Sequence, residues 1–231
     1  MNKNILITGT SRGIGKALSI GFLETNKVFG CSRSDSDIEH KNYKHFCIDV
    51  CDENKVIDMV RGIKRESGKI DVLINNAGAA SMNHLLTTNL NSVNELFNVN
   101  FMSAFLFTRE VGKIMSRQKY GKIVNFSSVA AALNLEGEAI YAAAKAAIEN
   151  FTRTSAKELG KFNINVNAIG ISPTMTNLIK AVPKNKIDEL LEKQTIKNFC
   201  EFDDIKNTID FLIDDKSKMV TGQIIYLGGV W

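Results

Sequence analysis

The chain has 231 residues, 44% of them hydrophobic and 23% charged, with a formal net charge of +4. This composition suits a folded domain with a sizeable core and excludes fibrous repeats and wholesale disorder. The mild charge is spread along the chain and no apolar run nears the roughly 18 residues that cross a bilayer, so neither nucleic acid nor a membrane is expected as a partner.

The N-terminus runs straight into the apolar stretch Ile5–Thr8, which leaves no room for a signal peptide, and a cytoplasmic location is expected. Further short β-like runs are Val28–Ser32, His45–Asp49, Val72–Asn75, Lys122–Ser127, Ile164–Ile169 and Ile224–Leu227. Between them lie helical patterns at Ile14–Thr25, Glu53–Ser67, Val93–Arg117, Tyr141–Leu159 and Asp203–Ile213.

 Strands alternating with helices imply βαβ units, and right-handed crossovers then give an α/β, doubly wound parallel sheet of about seven strands with helices on both faces. Only two prolines occur, Pro173 and Pro183, so no Pro-rich linker divides the chain and a single domain over residues 1–231 is expected. The connection Arg33–Lys44 is short and polar, fit for a turn rather than a full helix. The stretch from 170 to 202 is long, with a helical piece near Lys186–Lys193, and reads as a substrate lid. Cys31, Cys47, Cys51 and Cys200 form no CxxC pair and have no His at metal spacing, so reduced thiols and no metal are expected.

Thr8-Gly9-Thr10-Ser11-Arg12-Gly13-Ile14-Gly15 follows the first strand and opens the first helix. Glycines let the backbone turn sharply and approach a phosphate, and the helix N-terminus offers free N–H groups and partial positive charge. The spacing is G-x-x-x-G-x-G, and with it the chain resembles the short-chain dehydrogenase/reductase family over essentially its whole length. The resemblance implies a Rossmann-type fold and reversible reduction of a carbonyl to an alcohol with a nicotinamide cofactor.

Tyr141 and Lys145 stand at i, i+4, on one helix face. A neighbouring ammonium and a cationic nicotinamide favour the phenolate, so the tyrosine can exchange the proton that accompanies hydride transfer. Ser128, thirteen residues earlier, matches the family's catalytic serine, with Ser127 as the fallback; Asn100 resembles the asparagine that holds a helix distortion and a proton-relay water. The resemblance gives Lys145 the nicotinamide ribose as well as support of Tyr141. It assigns Asn76, Ala77 and Gly78 to the cofactor wall, the Asp49-Val50 pair to the adenine and Thr176 to a further cofactor contact. Ile171-Ser172 replaces the family's Pro-Gly pair, so the nicotinamide-side wall departs from the family's pattern.

The second strand ends in Ser32 where an acid for the ribose 2′-OH would stand, and Arg33 follows it. With Arg12 in the glycine turn, two guanidiniums suit a 2′-phosphate, so NADP(H) is expected ahead of NAD(H). Asp35 and Asp37 fall in the following turn. The resemblance also implies a homodimer or homotetramer through the two long helices, with Phe101, Phe105, Phe107, Ala143, Ala147, Phe151 and Ser155 as candidates. His40, His45 and His84 have no evident partners. The leading expectation is a carbonyl reductase similar to beta-ketoacyl-acyl-carrier-protein reductases, acting on a small carbonyl or alcohol; Glu136 and Glu138 favour a polar substrate. The competing expectation is a catalytically weak or inactive cofactor-binding protein of the same fold.

Overall fold

The computed structural model describes residues 3–176, 179 and 182–230. Seven parallel strands form one sheet in the order β3-β2-β1-β4-β5-β6-β7. They are β1 (Asn4–Thr8), β2 (Lys27–Ser32), β3 (Tyr43–Cys47), β4 (Val72–Asn75), β5 (Gly121–Ser128), β6 (Ile164–Ile171) and β7 (Ile224–Tyr226). The order reverses between β1 and β4, which opens a crevice at their C-terminal ends. The helices are α1 (Gly13–Phe22), α2 (Glu53–Ser67), α3 (Leu90–Phe97), α4 (Ser103–Gln118), α5 (Ala130–Leu133), α6 (Ala139–Gly160), α7 (Lys184–Glu192) and α8 (Phe202–Ile213).

The strands are apolar on both faces because both are covered. Leu6, Phe29, Leu73, Ile123 and Val166 pack on one side with Val56 and Ile63 of α2 and Phe107, Val111 and Met115 of α4. Ile5, Ile7, Val28, Val72 and Ile74 face the other side, against Leu18 and Phe22 of α1 and Ile205, Ile209 and Leu212 of α8. The period of two along β1 therefore divides its side chains between two cores.

Several expectations need correction. The third strand begins at Tyr43 rather than His45 and ends at Cys47. The single helix expected over Val93–Arg117 is three pieces: α3, a π-helical turn at Asn98–Met102, and α4. Phe107 is fully buried in the core of the chain and Ser155 is buried as well, so neither is free to face another copy. The connection from 33 to 42 contains no helix, as its composition predicts.

The stretch from 170 to 202 is tied to the sheet end. The Thr195 and Ile196 N–H groups donate to the carbonyls of Gly229 and Gly228, and the Cys200 N–H donates to the Pro173 carbonyl. It carries α7, while residues 177, 178, 180 and 181 of the expected lid lie outside the described residues.

Candidate active site

A cleft of about 490 Å³ opens at the C-terminal ends of the central strands. At one end lies the glycine turn. Gly9 and Gly13 adopt φ of +75° and +58°, a left-handed backbone that side chains disfavour. A Cβ on Gly15 would sit 2.1 Å from the Gly9 carbonyl oxygen, so the turn closes only over glycine. The first turn of α1 has no acidic residue and its N-cap, Arg12, makes no side-chain cap. Its N–H groups therefore remain available to an anion in the cleft.

The end of β4 is stitched to this turn. Thr8 Oγ1 accepts from the N–H groups of Asn76 (3.1 Å) and Ala77 (2.9 Å), while Asn76 Nδ2 donates to the carbonyls of Thr8 and Gly9. A Cβ on Gly78 would meet Asn100 Oδ1 at 2.8 Å and Lys145 Nζ at 3.5 Å, so this glycine brings the β4 turn against both.

Asn100 explains the π-helical turn. Its Nδ2 donates to the Leu96 carbonyl at 3.0 Å, the acceptor its own N–H would use in an α-helix. The ladder slips by one residue, and the Ser103 N–H bonds the Asn98 carbonyl. Asn100 Nδ2 also donates to the Ala79 carbonyl, and its Oδ1 accepts from the Ala79 N–H.

Tyr141 and Lys145 rise from one face of α6, with Lys145 Nζ 5.7 Å from the Tyr141 ring centre. The ammonium is 5% exposed and donates to the Phe126 carbonyl at 2.8 Å. Burial pulls the Lys145 pKa down to about 8. Burial pushes the Tyr141 phenol up to about 12, against which the adjacent Ser128 hydroxyl favours the phenolate. Ser127 lines the cleft, but its hydroxyl donates to Glu149 at 2.7 Å; Ser128, beside Tyr141 and outside the cleft wall, accepts from the Ala130 N–H at 3.2 Å.

Arg12, Arg33, Ser11, Ile14, Val50 and Thr176 line the same cleft. Neither arginine has a salt bridge among the described residues, whereas Asp37 is held by Lys16 at 2.7 Å. Asp49 is not in the cleft wall; its Oδ1 accepts from the Cys51 N–H, closing a turn that presents Val50 instead. Sequence reasoning missed Ser34, Ala79, Val99 and Phe126 in that wall. Ser34 and Ala79 adjoin recognised motifs, whereas Val99 enters only through the π-helical turn.

The donor set fits a dinucleotide: an uncapped helix N-terminus, a glycine cradle, two guanidiniums with no ion pair among the described residues and a tyrosine–lysine pair. Fold and site together define a nicotinamide-dependent dehydrogenase. A family model described as enoyl-(acyl carrier protein) reductase matches residues 10–229. The chain is 32% identical over 240 residues to the 3-oxoacyl-(acyl-carrier-protein) reductase FabG of Staphylococcus epidermidis, with 99% of this chain and 98% of the relative covered. Among solved structures it is similar to ElxO with NADP bound, with a TM-score of 0.89 and 27% identity over 98% of this chain and 97% of the other. It is also similar to 4-hydroxyisoleucine dehydrogenase complexed with NADH, with a TM-score of 0.88 and 28% identity over 99% and 98%. The chain belongs to the short-chain dehydrogenase/reductase family and is an NAD(P)-dependent oxidoreductase.

Proposed function

We propose that this protein is an NADP(H)-dependent reductase of a small ketone, and that Ser128, Tyr141, Lys145 and Asn100 carry the proton chemistry. The observation that carries this reading is that Tyr141, Lys145 and Asn100 line one cleft, with Ser128 beside Tyr141 and Asn100 beside Lys145 across Gly78. The glycine turn, Arg12, Arg33, Val50, Asn76, Ala77, Gly78 and Thr176 hold the cofactor. When bound, the reduced cofactor supplies the hydride for the carbonyl carbon.

Tyr141 gives its proton to the carbonyl oxygen, and Ser128 donates a hydrogen bond to the same oxygen. At a pKa of about 12 the phenol stays protonated at neutral pH, as an acid for reduction must. Lys145, held on the Phe126 carbonyl, keeps a positive charge beside the phenol and stabilises the phenolate left after the transfer. Asn100 fixes the helix distortion through which the phenol is reprotonated.

The FabG relative supports a 3-oxoacyl thioester as the first substrate to try. Glu138, half-buried beside Tyr141, supports a polar group on the substrate. The reading includes a single domain in which residues 170–202 cover the substrate, a homodimer or homotetramer through α4 and α6, and a cytoplasmic setting. Among the described residues, no helix is long and apolar enough to cross a membrane. Phe101 and Phe105 pack edge-on against Phe151, with ring centres 5.8 and 6.3 Å apart, and all three stay partly exposed, an apolar surface that a second copy would cover. Loss of NADPH absorbance with 3-oxoacyl thioesters and a ketone panel, for the wild type and Tyr141→Phe, tests the activity. Equal background rates from both proteins would reject it.

A further inference from the structure

His45 lies on edge strand β3, outside every motif described so far, yet it joins two parts of the cofactor cleft. Its Nε2 is 3.0 Å from the Ser34 carbonyl oxygen and 3.1 Å from Ser32 Oγ. A carbonyl only accepts, so Nε2 carries the proton there, and Nδ1 accepts from the Tyr43 hydroxyl at 2.9 Å. The Tyr43 hydroxyl also meets Thr10 Oγ1 at 3.0 Å, inside the phosphate turn. This chain of contacts needs Gly30, where a Cβ would fall 2.3 Å from the Tyr43 hydroxyl and 2.4 Å from Thr10 Oγ1.

Two residues further along β3, Cys47 Sγ donates to the Arg33 carbonyl at 3.0 Å. His45 and Cys47 thus hold the carbonyls of Ser34 and Arg33 on the β3 side of the turn. A carbonyl oxygen turned toward an anion would repel it, so holding both away favours a phosphate beside Arg33.

We propose that His45 is a positioning residue for cofactor choice: its contacts with Ser32 and Ser34 hold the Arg33 turn in the form that receives the 2′-phosphate of NADP(H). The proposal rests on the NADP(H) reading above. NADH lacks that phosphate and gains little from the turn.

The test is the dissociation constant of NADPH and of NADH, read by cofactor fluorescence without substrate, for the wild type, His45→Leu, His45→Gln and Arg33→Ala. His45→Leu raises the NADPH constant about tenfold and the NADH constant less than about twofold. His45→Gln, whose amide still donates toward Ser34, recovers most of the loss. Unchanged preference in His45→Leu, or equal weakening of both cofactors, overturns the proposal. If His45→Leu does not fold, Tyr43→Phe is measured in its place: a loss confined to NADPH supports the proposal and an equal loss overturns it. A wild type without NADPH preference, or an Arg33→Ala that retains it, instead refutes the underlying cofactor reading.

Discussion

Replacing Lys145 with Met should stabilise the cofactor-free protein while removing the cation proposed to support Tyr141. The ammonium is buried with a backbone carbonyl as its hydrogen-bond partner, and its pKa is lowered from 10.5 to about 8. That difference corresponds to about 3 kcal/mol of cost in the protonated folded state. Methionine fills a similar length of chain without charge but gives up the bond to the Phe126 carbonyl, worth about 1 kcal/mol. The variant is therefore expected to be about 2 kcal/mol more stable at neutral pH. Between pH 8 and 10.5 the unfolded chain binds more protons at this residue than the folded chain, so wild-type stability rises with pH. The advantage of the variant should shrink by about 2 kcal/mol between pH 6.5 and 9.5. Urea unfolding of both proteins across that range measures it. A difference that stays constant with pH would show that Lys145 is not held as a strained cation.

Gly15→Ala places a methyl group 2.1 Å from the Gly9 carbonyl and should lower stability by about 2 kcal/mol or more, visible in thermal unfolding; an unchanged midpoint contradicts the cradle. Asn100→Ala removes the contacts to Ala79 and Leu96, and should cut turnover about tenfold or more while changing NADPH binding less than about threefold, as steady-state kinetics and titration will show. Arg33→Ala should weaken NADPH binding about tenfold and reduce its sensitivity to salt in fluorescence titrations, with NADH little affected.

The phosphate turn and the Tyr141–Lys145 pair were legible because local spacing dictates them: glycines where the backbone is left-handed, and two side chains one helical turn apart. The π-helical turn was only half legible. Asn100 marked the place, but the apolar period runs on through 98–102, and the backbone that holds its side chain on the Leu96 carbonyl is Ala79, 21 residues away. The start of β3 was missed because Tyr43 and Lys44 read as turn residues, whereas Tyr43 is drawn inward by Thr10, 33 residues distant. Asp49 was carried over by resemblance, and the local turn with Cys51 takes its carboxylate out of the cleft wall.

The stitching of β4 to the glycine turn also constrains the order in which the chain can acquire its site. Thr8 and Asn76 are 68 residues apart, and every strand pairing in the sheet is parallel, so no hairpin can bring them together locally. The β1–β2 unit can form early, but its phosphate turn stays unsupported until β4 docks beside β1 and supplies Asn76 and Ala77. Pairing over such a separation is slow because loop closure precedes any reward from contact. Cofactor added during refolding therefore finds no complete cradle before β4 has docked. It acts afterwards, by mass action on the finished fold, and its binding serves as a sensor for completed assembly of the sheet centre.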